Sequence, residues 1–249
     1  MADDKLAPVN ATALAKPSFI DSSDRTGTDN IGADEIRLPR LAISQGLSPQ
    51  LTPGDPKHIP GLSLFQFFND LTGEIYGPGP IKFIPLRRDV RRIEYIPRSE
   101  GGGVRDLNVP ANDPRNEWTE GKDGERVPPA ATKYIEFISL LLQDGKVPEP
   151  IVISIKDTNK FNREASTRLS TFIKLKQAPI YAGVYSVKVG TGKNDSGTFG
   201  IPVIDQEGFV QDEALYKAAA KFTADLGTKK VTVDREAPEE TPVEKDVPF

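Results

Sequence analysis

The sequence predicts a mainly β fold with α: a small barrel or strongly curved sheet with long loop insertions, one internal helix, one C-terminal helix and disordered ends. Three observations predict it. Segments rich in β-formers recur through the middle of the chain, many bounded by glycine, proline or asparagine. Between Thr158 and Pro179 the apolar period changes from that of a strand to that of a helix. A second helical period, with a cap at each end, follows from Asp212 to Gly227.

Residues 1–34 are polar, small or charged, as in Asp21-Ser22-Ser23-Asp24, and are expected to form a disordered acidic arm. Order is expected from Ile36-Arg37-Leu38-Pro39-Arg40-Leu41, within a domain spanning 35–230. Leu62 to Phe68 is apolar and ends in the turn signal Asn69-Asp70-Leu71-Thr72-Gly73. Ile81 to Leu86 and Val90 to Ile96 read as one long or bulged strand, with Pro85 marking an edge or a bend. The run from Gly101-Gly102-Gly103 to Pro129 reads as a long mobile loop. Lys133–Leu142 is a core strand, alternating at first and then wholly apolar, and Ile151–Ile155 is its neighbour across the turn at Asp144-Gly145.

Phe161, Ala165, Leu169, Phe172 and Ile173 share one helical face, capped by Thr158 or Asn159 and stopped by Pro179. Ile180–Val189 and Gly197–Val203 form a hairpin around Gly190-Thr191-Gly192-Lys193. In the last helix Leu215, Ala219, Phe222 and Leu226 line one face. Together these elements fit a barrel-like sheet. An oligonucleotide-binding (OB) barrel is the particular architecture expected, a choice that draws on the binding pattern below as well as on the element order.

Composition removes several chemistries. The chain has no cysteine, so disulfides, thiolate catalysis and cysteine-held zinc are excluded. Its one histidine, His58, lies in a proline-rich loop, where a solvated role is the simpler reading and a histidine-dependent triad has nothing to build on. No apolar run is long enough for a membrane span, and Met1-Ala2-Asp3-Asp4 begins no signal peptide, so a cytoplasmic protein without membrane partners is expected. Gly190-Thr191-Gly192-Lys193 lacks the Walker spacing and its strand-to-helix setting. No compact pair of acids suggests a two-metal site, although such sites assemble from distant segments. No cofactor and no enzymatic activity are expected.

The net charge of −4 is unevenly spread. The first 35 residues carry −4 and the stretch from Asp234 onward another −4, which leaves the centre at +4. The densest basic cluster is Lys82, Arg87, Arg88, Arg91, Arg92, Arg98 and Arg105, with aromatic rings interleaved at Phe83 and Tyr95. On an extended strand Arg87, Arg91 and Tyr95 share one face and Arg88 and Arg92 the other. Single-strand binding needs both elements: cations that track phosphates and flat rings on which bases stack. The competing reading is a solvated face with Phe83, and also Tyr95, in the core. A second basic set contains Lys156 and Lys160 at a strand-to-helix junction and Lys193 at the hairpin tip. Tyr181 and Tyr185, four apart, would project from the same side of an extended strand and are candidate stacking rings, with core packing explaining one of them equally well. Trp118, the single tryptophan, lies in the polar loop and either covers a hydrophobic edge or stacks on a base.

From residue 231 the chain is expected to be a disordered, proline-punctuated acidic tail ending in Asp246-Val247-Pro248-Phe249. This ending resembles the partner-binding tip of bacterial single-stranded DNA-binding proteins, which also finish on acids, an aliphatic residue, Pro and Phe. Leu38-Pro39-Arg40-Leu41, Leu47-Ser48-Pro49, Leu71-Thr72-Gly73-Glu74 and Ala178-Pro179-Ile180-Tyr181 resemble segments of tailed-phage proteins taken to bind single-stranded DNA. The lack of cysteine departs from the zinc-containing phage relatives. The resemblance implies an OB-type domain that coats transient single strands in replication and recombination without catalysis. It also implies a tail that recruits replication or recombination proteins through Asp246, Val247, Pro248 and Phe249. Two alternatives stand beside it: a regulator of host replication proteins that does not bind DNA, and a metal-dependent DNA enzyme. Assembly into a homo-oligomer is left open.

Overall fold

In this computed structural model the residues described are 37–227, apart from 98–99, 122 and 195–196. The acidic arm and the tail with its terminal Asp246–Phe249 lie outside them. The elements run β1 (Arg40–Ile43), β2 (Phe67–Asn69), β3 (Ile75–Gly77), β4 (Ile81–Tyr95), β5 (Val104–Asp106), β6 (Thr119–Glu120) and β7 (Arg126–Val127). Then follow β8 (Ala131–Leu142), β9 (Glu149–Lys156), α1 (Lys160–Leu175), β10 (Gly183–Asn194), β11 (Gly197–Phe209) and α2 (Glu213–Leu226). The fold is therefore mainly β with two α-helices.

One sheet takes in nearly all the strands, in the order β11-β10-β4-β8-β9-β1-β2-β3, with β5 paired to β4. β4 is a single strand whose register against β8 shifts between Pro85 and Arg87. That bulge accommodates the proline within the strand. The sheet curls until its β11 end meets the segment following β1. There the Gln45 side chain mimics a paired strand: its Nε2 donates to the Gly200 carbonyl at 3.0 Å and its Oε1 accepts from the Gly200 N–H at 2.8 Å. Glycine is needed at 200, because a Cβ would lie 2.9 Å from Ile43 Cγ2.

The curl gives the sheet two different faces. Inside, Phe83, Phe137, Ile153, Tyr185 and Ile204 meet Leu169 and Ala165 of α1. Outside, Ile84, Leu86 and Leu140 meet Ala219 of α2. β8 is apolar on both faces because both are covered, which explains the loss of alternation after Phe137. Asn159 caps α1, its side chain accepting from the Asn162 N–H, and Asp212 caps α2 in the same way through Leu215.

Two expectations are corrected here. Tyr181 and Tyr185 do not project from one side of one strand. Tyr181 sits in a 3-10 turn and packs on Tyr216 of α2, whereas Tyr185 is fully buried in the inner core. Burial pushes the Tyr185 hydroxyl up to about 12. A ring so enclosed belongs to the core, not to a base-stacking surface. The 101–129 segment is more than a mobile loop: it adds β5 to the sheet, makes a 3-10 turn at Pro114–Asn116 and forms the β6–β7 hairpin.

Candidate nucleic-acid interface

Besides the β4–β5 pairing and the buried Val109, whose N–H donates to the Arg92 carbonyl at 2.9 Å, the 101–129 segment is held by a cluster of ion pairs centred on Arg115. Arg115 reaches Glu94 at 2.8 Å, Asp106 at 3.1 Å and Asp113 at 2.7 Å, while Arg105 takes the other oxygen of Glu94 at 2.9 Å. Hydrogen bonding from Arg115 holds Glu94 below the usual carboxylate range and Asp113 at about 2. Lowered folded-state values mean that this anchorage is complete above the ordinary carboxylate pKa of about 4 and is lost as pH falls toward the folded values. Arg115→Ala is therefore expected to release the segment at neutral pH. Proteolytic cleavage within 101–129 should rise several-fold while the sheet's circular dichroism is retained. In the unaltered protein the same cleavage should appear only as pH drops from about 4 toward 2.

Once anchored, this segment forms one wall of a cleft of about 310 Å³. Trp118, Pro128 and Pro129 come from the segment, Lys133 from β8, Lys156 from β9, Arg163 from α1, and Asn194 and Phe199 from the β10–β11 hairpin. Trp118 is 48 % exposed, and the Arg126 guanidinium lies 4.9 Å from its ring centroid. The hairpin is held toward α1 by an edge-on contact between Phe161 and Phe199, with centroids 6.0 Å apart. Gly192 permits this approach, since a Cβ there would lie 2.8 Å from the Phe199 ring.

The cleft is basic, with one carboxylate at its centre. Asp157 binds Lys133 Nζ at 2.9 Å and Arg163 Nε at 3.0 Å. Burial raises the pKa of Asp157, but the two cationic donors outweigh it and hold the group below the ordinary range. Lys156 is drawn below the usual lysine range by burial, the cost of carrying an ammonium among less polar neighbours. An anion placed beside it relieves that cost. The first turn of α1 also points its N–H groups to this end of the molecule.

The structure sorts the sequence candidates into distinct sets. Trp118 and Lys156 line the cleft; Lys160 and Lys193 flank it, next in sequence to the lining residues Asn159 and Asn194. Arg92 is paired in register with Lys133, and Arg88, four residues along the same strand, pairs with Phe137, so both arginines share a face that runs beneath α1. The remaining candidates are placed elsewhere. Lys82 is at the opposite end of β4, paired with Leu142. Arg87 binds Asp89 at 2.7 Å and donates to the Gly227 carbonyl at 3.1 Å, closing the C-terminal end of α2. Arg91 binds the buried Glu136 at 2.7 Å. Arg105 serves Glu94 and Glu100. Tyr95 packs edge-on against Tyr134 and hydrogen-bonds its hydroxyl at 3.1 Å. Tyr181 and Tyr185 are in the two cores. Arg98 and Asp246–Phe249 are outside the described residues.

Lys133, Arg126 and Asp157 enter the site without having been singled out from sequence. Strand register reveals two of them: Asp157 donates its N–H to the Lys133 carbonyl at 2.8 Å, which brings residues 24 apart into one ion pair, while Arg126 enters through the β6–β7 hairpin, over the Trp118 ring. Among the described residues no helix is long and apolar enough to cross a membrane. Nor do three of His, Cys, Asp or Glu gather as a metal-holding group among them.

No curated protein and no solved structure matches the chain. A family model described as "Pam3 phage gp34-like protein" matches residues 9–232. That span takes in every described element and ends before the acidic stretch that begins at Asp234. The chain belongs to the Pam3 phage gp34-like family.

Proposed function

We propose that this protein is a sequence-independent single-stranded DNA-binding protein of a phage, coating transient strands in the host cytoplasm without catalysis. In this reading its tail recruits replication or recombination proteins. The observation that carries it is the cleft in which an exposed Trp118 lies among Lys133, Lys156 and Arg163. A flat ring stacks on any base and cations accept any phosphate, so the pairing gives affinity without sequence preference.

The position of the cleft supports an OB-type architecture. The five long strands pair in the order β11-β10-β4-β8-β9, and α1 connects β9 to β10. Taking β4, β8, β9, β10 and β11 as the first to fifth barrel strands, Trp118 comes from the loop between the first two. Asn194 is the last residue of the fourth, where it pairs with Gly197 at the start of the fifth. OB barrels bind oligonucleotides on the second and third strands, between the loops that join the first two strands and the last two. Here the β1–β2–β3 strands follow β9, and the Gln45–Gly200 pairing draws the curl together.

Titration with a long oligo-dT tests the reading. Quenching of Trp118 emission is expected at low salt, with an affinity that falls as salt rises by a log–log slope of about 0.7 per phosphate neutralised. No complex at low salt would overturn it. Magnesium-dependent breakdown of the strand would favour a DNA enzyme instead.

A further inference from the structure

The Trp118 cleft is not the end of the basic surface. A second trough, of about 530 Å³, continues from it between α1 and the β4–β8 face, and the two share Lys133, Asp157 and Arg163. Its lining changes character along its length. At the shared end two cations are held on one carboxylate. Further along lie Arg88 from β4 and Lys174 from the last turn of α1, both exposed and neither in an ion pair among the described residues. Between the ends, Thr167 and Thr171 present hydroxyls from successive turns of α1, exposed and with no side-chain hydrogen bond among the described residues. By contrast, the Ser166 and Ser170 hydroxyls are already donated to helix carbonyls at 3.0 and 2.8 Å.

We propose that this trough is a phosphodiester track: it binds the backbone of the single strand whose base stacks at Trp118, and it extends the footprint beyond that cleft. The proposal rests on the single-strand reading above and adds the strand's path. Its chemistry fits phosphate and not bases. The lining combines cations with hydroxyl donors and holds no aromatic ring on which a base would stack. Arg163 and Lys174 are eleven residues apart on α1, about 16 Å along the axis, long enough for more than one phosphate. Asp157 marks the joint between the two sites. Its carboxylate occupies Lys133 and Arg163 as a phosphate would, so a strand crossing from one site to the other exchanges one anion for another there.

The test is an oligo-dT series of increasing length against the full chain and the double variant Arg88→Gln/Lys174→Gln. Lys217→Gln/Lys221→Gln on α2 removes the same charge away from the trough and serves as control. For long oligonucleotides the Arg88/Lys174 variant is expected to bind roughly tenfold more weakly at low salt, with a salt slope shallower by about 1.4. For the shortest oligonucleotides that still quench Trp118 it should match the unaltered protein. The control should match the unaltered protein at every length. If the Arg88/Lys174 variant matches it at every length too, the track is overturned while single-strand binding stands. An equal loss in the control would overturn the track as well, since general charge would then explain the effect. If the unaltered protein binds no oligonucleotide, both proposals fall together.

Discussion

Arg91→Ala is expected to lower the free energy of unfolding by about 3–5 kcal/mol, a large share of the roughly 5–15 kcal/mol that holds a typical domain. The reason is the partner it leaves behind. Glu136 is 2 % exposed on β8, and the Arg91 guanidinium, itself 17 % exposed, lies 2.7 Å from its carboxylate. Besides this contact, the Ser154 hydroxyl approaches Glu136 at 3.4 Å. Removing the arginine takes from a buried carboxylate the counter-charge 2.7 Å away, which costs far more than the pair contributes when intact. The midpoint of urea unfolding measures this loss. Replacing both partners, Arg91→Met with Glu136→Met, should recover most of the lost stability, because two apolar side chains remove the buried charge altogether. If Arg91→Ala unfolds at the same midpoint as the unaltered chain, the pair is not structural and Arg91 is again a candidate for phosphate contact. The consequence for function is practical: reversing Arg87, Arg88, Arg91 and Arg92 together would confound folding with binding, since Arg87 and Arg91 are both tied into the fold.

The elements themselves were largely legible in the sequence. The helical period from Phe161 to Ile173, the caps at Asn159 and Asp212 and the stop at Gly227 are local signals, and local signals survive in a sequence. The two faces of β4 followed from alternation alone. What alternation does not reveal is what covers each face. The arginines on one face of β4 meet Glu136 and the end of α2, while those on the other meet α1 and open space, and that difference depends on register and on which helix docks where. One clue was present: Glu136 interrupts the apolar run Tyr134-Ile135-Glu136-Phe137-Ile138, and an acid in such a run calls for a buried cation. Arg115 left no comparable trace. Its three carboxylate partners are Glu94, Asp106 and Asp113, and only folding shows that a glycine- and proline-rich stretch gathers them around one arginine. Tyr185 misled for the opposite reason. A tyrosine near lysines suggests stacking, but its ring lies in the core inside the curled sheet, and Lys176 lies 5.6 Å from it while donating to the Gly208 carbonyl.

Separating stacking from charge in the cleft gives the second large effect. Trp118→Ala is expected to weaken oligo-dT binding by about 1–3 kcal/mol, or roughly five- to 150-fold, because the ring supplies stacking area that alanine cannot. Its salt slope should not change, since no phosphate contact is removed. Lys156→Gln with Arg163→Gln should behave in the reverse manner. The slope should become shallower by about 1.4, so that the deficit is large at low salt and shrinks as salt rises. Asp157→Asn completes the argument. It takes a competing anion from Lys133 and Arg163, and tighter binding with a steeper slope is expected. A stacking role for Trp118 would be ruled out if its alanine variant changed the slope and left the affinity at low salt intact. If Asp157→Asn bound more weakly, the carboxylate would be orienting its two cations for the phosphate instead of competing with it. The sign of that one change therefore decides how the free cleft is held before the strand arrives.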